Sequence, residues 1–366
     1  MTPQKQGAVT TQRATWIDIV RILLMLAIID VHMGNCNPIW HIYGFVFNLE
    51  AAVAFYIFLA ALFVKENNHL VFQRIFWLTA CYLFWGCAHY FLLSPLSSAI
   101  ESWIQTKQFD ISIPHFTLAP WDEIILYDYT KTFPHNGPLW FLRFLIIFTL
   151  LTPLLRMLSP KILYAGALLF FSLRYTPLVI DETYKSYLPF FITSKPVTLC
   201  VATYFVGLGI ARKGGIAVLR AIADKCTIPA LLTILYISAI VFLLFRSPTL
   251  VNNSIFPYIN EIASIFAPFA ACFIFLQLSK SPRIHYLFQW VKPVAPCIFT
   301  VYVLHCSIIP IFNAFGNTCV PENYMFIHTL LSPVLIFIIA WLMWRAMLCI
   351  PHCSMLLCFT KAAPKK

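Results

Sequence analysis

The chain has 366 residues, 60% of them hydrophobic, 16% aromatic and only 11% charged, with a mean hydropathy of +0.80. Soluble globular proteins carry roughly 25% charged residues, so a soluble enzyme, a secreted disulfide scaffold and a disordered chain are all excluded. The net charge of +11 comes from residues set singly or in pairs between apolar stretches. In a membrane protein this pattern marks cytoplasmic loops rather than a nucleic-acid surface. With 11 glycines and no alternating hydrophobicity, the spans are expected to be helices, not barrel strands.

A spanning helix needs about 20 mostly apolar residues. In chain order, such windows fall at 16–33, 40–64, 70–93, 138–158, 161–180, 196–212, 226–246, 256–279, 291–315 and 326–350. The shortest is 196–212, which runs into Gly207, Gly209 and Arg212-Lys213-Gly214-Gly215. Lys65, Arg156, Lys161, Arg212, Lys213, Arg220, Lys225, Lys280 and Arg283 fall in alternate connections, and the two tails add Lys5, Arg13, Lys361, Lys365 and Lys366. The positive-inside rule then places both termini in the cytoplasm. The expected fold is an all-α integral membrane bundle of about ten transmembrane helices in a single domain, 1–366. The first span carries no Ala-x-Ala cleavage signal and reads as a retained anchor.

The longest external connection, 94–137, holds Glu101, Asp110, Asp122, Glu123 and Asp128 with Trp103, Phe109, Phe116, Trp121 and Tyr127. A loop of that length and composition is expected to pack over the outer mouth of the bundle as a lid or acceptor platform. The halves share no phased Gly/Pro breaks, so no inverted transporter repeat is visible. The cysteines lie scattered in apolar segments, where thiols act as small hydrophobes. The nearest approach to a metal cluster is Pro351-His352-Cys353 with Cys349, read here as a helix end, and no metal is expected.

Ionisable residues inside spans mark functional sites, because burying one costs roughly 2.5–3.5 kcal/mol on insertion scales. The first span holds Asp18, Arg21, Asp30 and His32. Arg21 and His32 are eleven residues apart, about three helical turns, so they share a face some 16 Å apart along the axis. Asp18 reaches Arg21 at i,i+3, whereas Asp30 points to a different face from His32. Glu50 lies within the second span, Arg143 beside Trp140 in the fourth, and His305 one turn after Tyr302 in the ninth, at a depth similar to that of His32. Such a bundle is built around a polar cavity. Arginine suits phosphate contact, and imidazole suits proton transfer or transient acyl carriage. Walker A, GxGxxG, HExxH and GxSxG elements are missing.

Arg13-Ala-Thr-Trp-Ile-Asp18-Ile-Val-Arg21, followed by ten residues and His32, resembles the opening motif of the acyltransferase-3 family of membrane O-acyltransferases. Gly137-Pro-Leu-Trp140-Phe-Leu-Arg143 is similar to that family's Gly-Pro-Leu-Trp-Phe-Leu-Arg segment. Phe299-Thr-Val-Tyr302-Val-Leu-His305 resembles its late Tyr-Leu-Leu-His element, with weaker matches at Phe205-Val206-Gly207 and at Arg74 ahead of Tyr82-Leu-Phe-Trp85. The motifs fall in the same order over nearly the whole chain. The chain departs from the pattern at the third-helix arginine pair, where Arg74 is flanked by Val71 and Trp77. It also departs after the Phe-rich run 55–63, which holds alanines in place of Ser-Gly.

The resemblance implies a multi-pass inner (plasma) membrane O-acyltransferase, an acetyltransferase above all, using cytoplasmic acyl-CoA (acetyl-CoA). The acceptor would be a hydroxyl of an envelope glycan or lipid-linked sugar, with membrane lipids around the bundle and no nucleic-acid partner. It makes His32 the catalytic histidine, as general base or acyl carrier, with Arg21 its partner. His305 joins them as a catalytic candidate. Arg74, Arg143 and Trp140 are expected at the donor, and Tyr302 and Glu50 at the acceptor. A transporter or flippase for a small or lipid-linked solute is the alternative use of the same buried charges.

Overall fold

A computed structural model describes residues 15–34, 37, 39–40, 49–64, 68–111, 139–174, 195–226, 228 and 256–350. Helices dominate, and no strand occurs among the described residues. They are α1 (Thr15–Met33), α2 (Leu49–Leu62), α3 (Asn68–Ala88), α4 (Ser94–Thr106), α5 (Trp140–Leu155), α6 (Pro160–Leu173), α7 (Lys195–Ala211), α8 (Phe256–Leu278), α9 (Ile298–Cys319) and α10 (Met325–Met347). The expected span at 226–246 and most of the 94–137 connection lie outside the described residues, as do residues 351–353.

Among the described residues, three stretches are long and apolar enough to cross a membrane: His69–Thr106, Val291–Cys319 and Glu322–Met347. Phe72 and Phe76 on α3, Leu150 and Leu154 on α5, Leu168 on α6 and Leu342 on α10 stand exposed on the outside of the bundle. An apolar belt of this kind is compatible with lipid, not with water. The chain is a helical membrane protein.

α1 is the hub, packing against α2, α8, α9 and α10. Its Val20, Leu24, Met25, Ala27, Ile28 and Ile29 are fully enclosed, which explains an almost uniformly apolar helix with no polar stripe on those faces. Helices in lipid gain little from hydrophobic transfer and associate through close van der Waals fit at small residues. Gly207 of α7 illustrates this fit. A Cβ there would meet the Phe58 carbonyl oxygen at 2.5 Å and the Ala61 Cβ at 2.9 Å. The alanines that replace the family's Ser-Gly therefore still allow α2 and α7 to touch. On the opposite side, Gly209 faces Tyr164 of α6, 2.7 Å from where a Cβ would sit. The shortest of the expected spans is thus wedged between α2 and α6.

One expectation about the 94–137 connection changes. Residues 94–106, expected to begin a loop, are helical and run on from α3 through a π turn at His89–Leu93. The Ser94 N–H bonds the His89 carbonyl, and Pro95 occupies the first turn of α4. Proline there loses no helical bond, since N–H groups of a first turn lack partners anyway. Pro95 therefore does not end the helix. α4 packs on α9 and ends at Lys107, left-handed at φ 64°, whose N–H caps the Trp103 carbonyl.

Polar contacts fix the two ends of the bundle. Beyond α1, Asn37 donates to the Phe326 carbonyl and Thr329 Oγ1, each at 3.2 Å, and the Trp40 indole donates to Leu330 O at 2.7 Å. At the other end Arg212 donates to the Leu158 carbonyl, Lys213 lies over the Tyr164 ring and Lys280 meets Asp224 at 2.7 Å. The basic connections thus collect at the end where α1 begins.

Candidate active site

Between α1, α2, α3, α5 and α9 lies a cavity of about 790 Å³, within the ~300–1,000 Å³ usual for cofactor and small-molecule sites. Its walls are mostly apolar (Ile17, Val53, Leu59, Leu145 and Ile298 among them), with Asp18, Arg21, Tyr56, Arg74 and Tyr302 as the polar groups. Gly214 and Ile216, next to Arg212 and Lys213, also line it, so the cavity reaches the basic end of the bundle.

Each cation in the cavity is held by a neighbour. Arg21 Nη1 donates to Asp18 Oδ1 at 3.0 Å, one helical turn away, as the spacing requires. The Asp18 side chain is 6% exposed and that of Arg21 31%, leaving the guanidinium as the accessible member of the pair. Arg74 donates to the Ala60 carbonyl at 3.3 Å. The phenol of Tyr56 donates to the backbone oxygen of Arg21 at 2.5 Å, tying α2 to the middle of α1. Sequence reasoning missed Tyr56. It sits within an aromatic run, and nothing local relates it to a residue 35 positions earlier.

At Tyr302 the cavity meets a line of rings. The Tyr302 ring centroid is 5.8 Å from that of His305, and the His305 ring is 5.2 Å from His32. His305 is fully buried while His32 is exposed. Asp30 is buried, so it lies on a different face of α1 from its exposed neighbour two residues on.

Behind His305 stands another histidine that the sequence reading did not single out. His89, in the π turn, is buried with Nε2 2.8 Å from the Val303 carbonyl and Nδ1 3.1 Å from Ser307 Oγ. Those contacts assign it a proton on Nε2, donated to Val303, with Ser307 donating to Nδ1. Ser97 on α4 donates to the Ser307 carbonyl at 2.7 Å. Val303 and Ser307 flank His305 by two residues on either side. The π turn therefore clamps α9 at the level of its catalytic candidate, a placement typical of such bulges.

His32 and His305 follow Tyr302 without lining the cavity, and three other expected site residues also lie outside it. Glu50 bonds Arg174, whose side chain is 1% exposed, and it does not line the cavity. Arg143 has Tyr82 as an electrostatic neighbour, and Trp140 packs edge-to-face on Phe144 at 5.8 Å. Neither borders the cavity that holds Arg21 and Arg74. The motif around residue 140 positions α5, whose Phe141 supplies cavity wall and meets Tyr302 at 5.5 Å.

In this helical membrane protein an arginine-bearing, mostly apolar cavity reaches Tyr302, and paired histidines follow that ring outside the cavity lining. A family profile described as an acyltransferase domain matches residues 14–345. The chain therefore belongs to the acyltransferase-3 family; it is an acyltransferase and takes an acyl donor and an acceptor. No curated protein and no solved structure matches it.

Proposed function

We propose that the protein is a multi-pass O-acyltransferase of the inner membrane, built from about ten spans with both termini cytoplasmic. On this reading it moves an acetyl group from cytoplasmic acetyl-CoA to a hydroxyl of an envelope glycan or lipid-linked sugar. The observation that carries the proposal is continuity. The cavity holding Arg21 and Arg74 reaches Tyr302, and Tyr302, His305 and His32 follow one another at 5.8 and 5.2 Å.

In this mechanism the donor's phosphates meet Arg21 and Arg74, and its acyl end lies along the apolar walls toward Tyr302. The acceptor approaches exposed His32. Its hydroxyl oxygen attacks the thioester carbonyl while His32 takes the hydroxyl proton. The Tyr302 hydroxyl and His305 supply hydrogen bonds to the developing oxyanion. The carbon–sulfur bond then breaks, and coenzyme A leaves as its thiol with the proton returned by His32. Arg143 and Glu50 take no part in this scheme.

The test uses purified protein with labelled acetyl-CoA. Slow release of labelled acetate without acceptor is expected from the wild type and not from His32→Ala, which should insert and purify normally. A folded His32→Ala protein with wild-type turnover would remove the mechanism. Mass spectrometry of envelope glycans from cells with and without the gene identifies the acceptor by a lost acyl mass.

A further inference from the structure

Acyl transfer accounts for His32 and His305 but leaves Cys306 without a task. Its sulfur lies 3.4 Å from His305 Nε2, and one ligand atom each from His32, His305 and Cys306 falls within 4.8 Å of the other two. We propose that these three residues form a site for a thiophilic divalent cation of the zinc class, and that its occupation switches the transferase off. The second clause rests on the role given to His32 above; the first does not.

The geometry suits such an ion. Zinc binds imidazole nitrogen at about 2.0–2.1 Å and thiolate sulfur at about 2.3 Å, tetrahedrally, which spaces neighbouring ligand atoms roughly 3.4–3.6 Å apart. The His305–Cys306 edge already has that length. The remaining edges close by a shift of about an ångström in His32, an exposed side chain in the last turn of α1. His305 is held in place by its burial and by the His89 clamp on Val303 and Ser307.

The donor set also selects the metal. Two imidazoles and a thiolate favour zinc or its neighbours, whereas magnesium and calcium require oxygen ligands. Three protein ligands leave the fourth position to water, on the side where His32 opens the cluster to its surroundings. Sequence reasoning looked for metal ligands at 349–353 and expected none to bind. Only the packing of α1 on α9 brings a residue at position 32 beside two at 305 and 306.

Binding is an acid–base event without electron transfer. The Cys306 thiol gives its proton to solvent as the sulfur–metal bond forms, while each imidazole donates a lone pair and stays neutral. The second nitrogen of a metal-bound His32 carries the ring proton. Such a histidine has no lone pair left for an acceptor hydroxyl, so transfer stops.

The experiment titrates the tag-free, metal-stripped full chain in detergent with cobalt, then displaces the cobalt with zinc. The expected result is a saturable thiolate-to-cobalt charge-transfer band with tetrahedral visible bands, removed by one equivalent of zinc. In Cys306→Ser the charge-transfer band should vanish and zinc should bind at least about tenfold more weakly, and His305→Gln should weaken it similarly. Cys272→Ser, which alters a buried thiol outside the cluster, should bind like the wild type. Absence of a saturable band, or a band that survives in Cys306→Ser, overturns the site. Zinc should halt acetyl-CoA turnover reversibly with chelator. Cys306→Ser, normalised to its own metal-free rate, should need at least about tenfold more zinc for half inhibition. Metal bound at these residues with turnover undiminished would overturn the switch and the role of His32 while leaving the site intact.

Discussion

Among the described residues two arginine–carboxylate pairs lie in the helical bundle, and they differ in what they face. Asp18–Arg21 is formed within one helix, and the Arg21 side chain, 31% exposed, lines the cavity. Glu50–Arg174 joins residues 124 positions apart; the Arg174 side chain is 1% exposed and the Glu50 side chain 30%. An ionisable side chain in an apolar helix always carries a desolvation cost. Arg21 keeps an open face toward the cavity, whereas Arg174 is enclosed and joins the end of α6 to α2. Position within a span is therefore not enough to identify a site residue.

The sharpest way to break this contrast is Glu50→Gln. Removing the carboxylate that Arg174 meets should cost about 1.5–3 kcal/mol of stability, seen as a drop in melting temperature in detergent, while the folded enzyme keeps its turnover. The double substitution Glu50→Leu with Arg174→Met should recover most of the loss, because apolar groups of similar size replace a buried pair well. Lost turnover at unchanged melting would return Glu50 to the substrate site.

Arg21→Ala should behave in the opposite manner. Removing a charge-assisted contact worth about 1.5–3 kcal/mol should raise KM for acetyl-CoA some 10- to 100-fold, with a smaller change in melting, and Arg21→Lys should recover part of it. An unchanged KM would separate the cavity from donor binding.

His305→Gln tests the ring that follows Tyr302. If the imidazole serves the oxyanion, transfer should slow about tenfold, or about 1.4 kcal/mol of barrier, with melting unchanged. A fully active variant would reduce His305 to a packing residue without touching the case for His32.

The smallest effect belongs to a third pair, outside the spans. Lys280 and Gln277 both bond the exposed Asp224 carboxylate and hold its pKa below the usual value. A depressed carboxylate pKa stabilises the fold above the unfolded value of about 3.9, and that contribution disappears as pH falls through the folded pKa. At neutral pH Asp224→Asn should shift melting by no more than about 2 °C, and the difference from wild type should vanish in strong acid. A larger shift at pH 7 would make this clasp a structural joint of the basic end.

Part of the candidate site's geometry is readable from spacing alone. Helical periodicity related Asp18 to Arg21 and Tyr302 to His305, because the α-helix fixes which residues share a face whatever surrounds it. The ordered motifs by themselves resemble the acyltransferase-3 family pattern. Periodicity could not relate residues on different helices. Tyr56 reaching the Arg21 carbonyl, Arg174 sealing Glu50 and His89 bracing Val303 and Ser307 are all contacts between elements, and no local pattern encodes them. The misjudged start of the 94–137 connection has a different cause. A proline in the first turn after a π bulge looks like a helix breaker in sequence, yet it forfeits no hydrogen bond there.

What the sequence determined by itself was the solvent, the secondary structure and the chemistry available. An apolar, charge-poor chain must lie in lipid, must satisfy its backbone within helices, and carries histidine and arginine where neither is cheap to bury. The tertiary structure alone decided which of those charged groups face a cavity and which are sealed. It also decided that His32, His305 and Cys306 share one point in space. Both depend on close approach between helices, set by small residues such as Gly207 and Ala61 and by the seating of α1 at the centre of the bundle, and close approach is a property of pairs of surfaces rather than of any one segment.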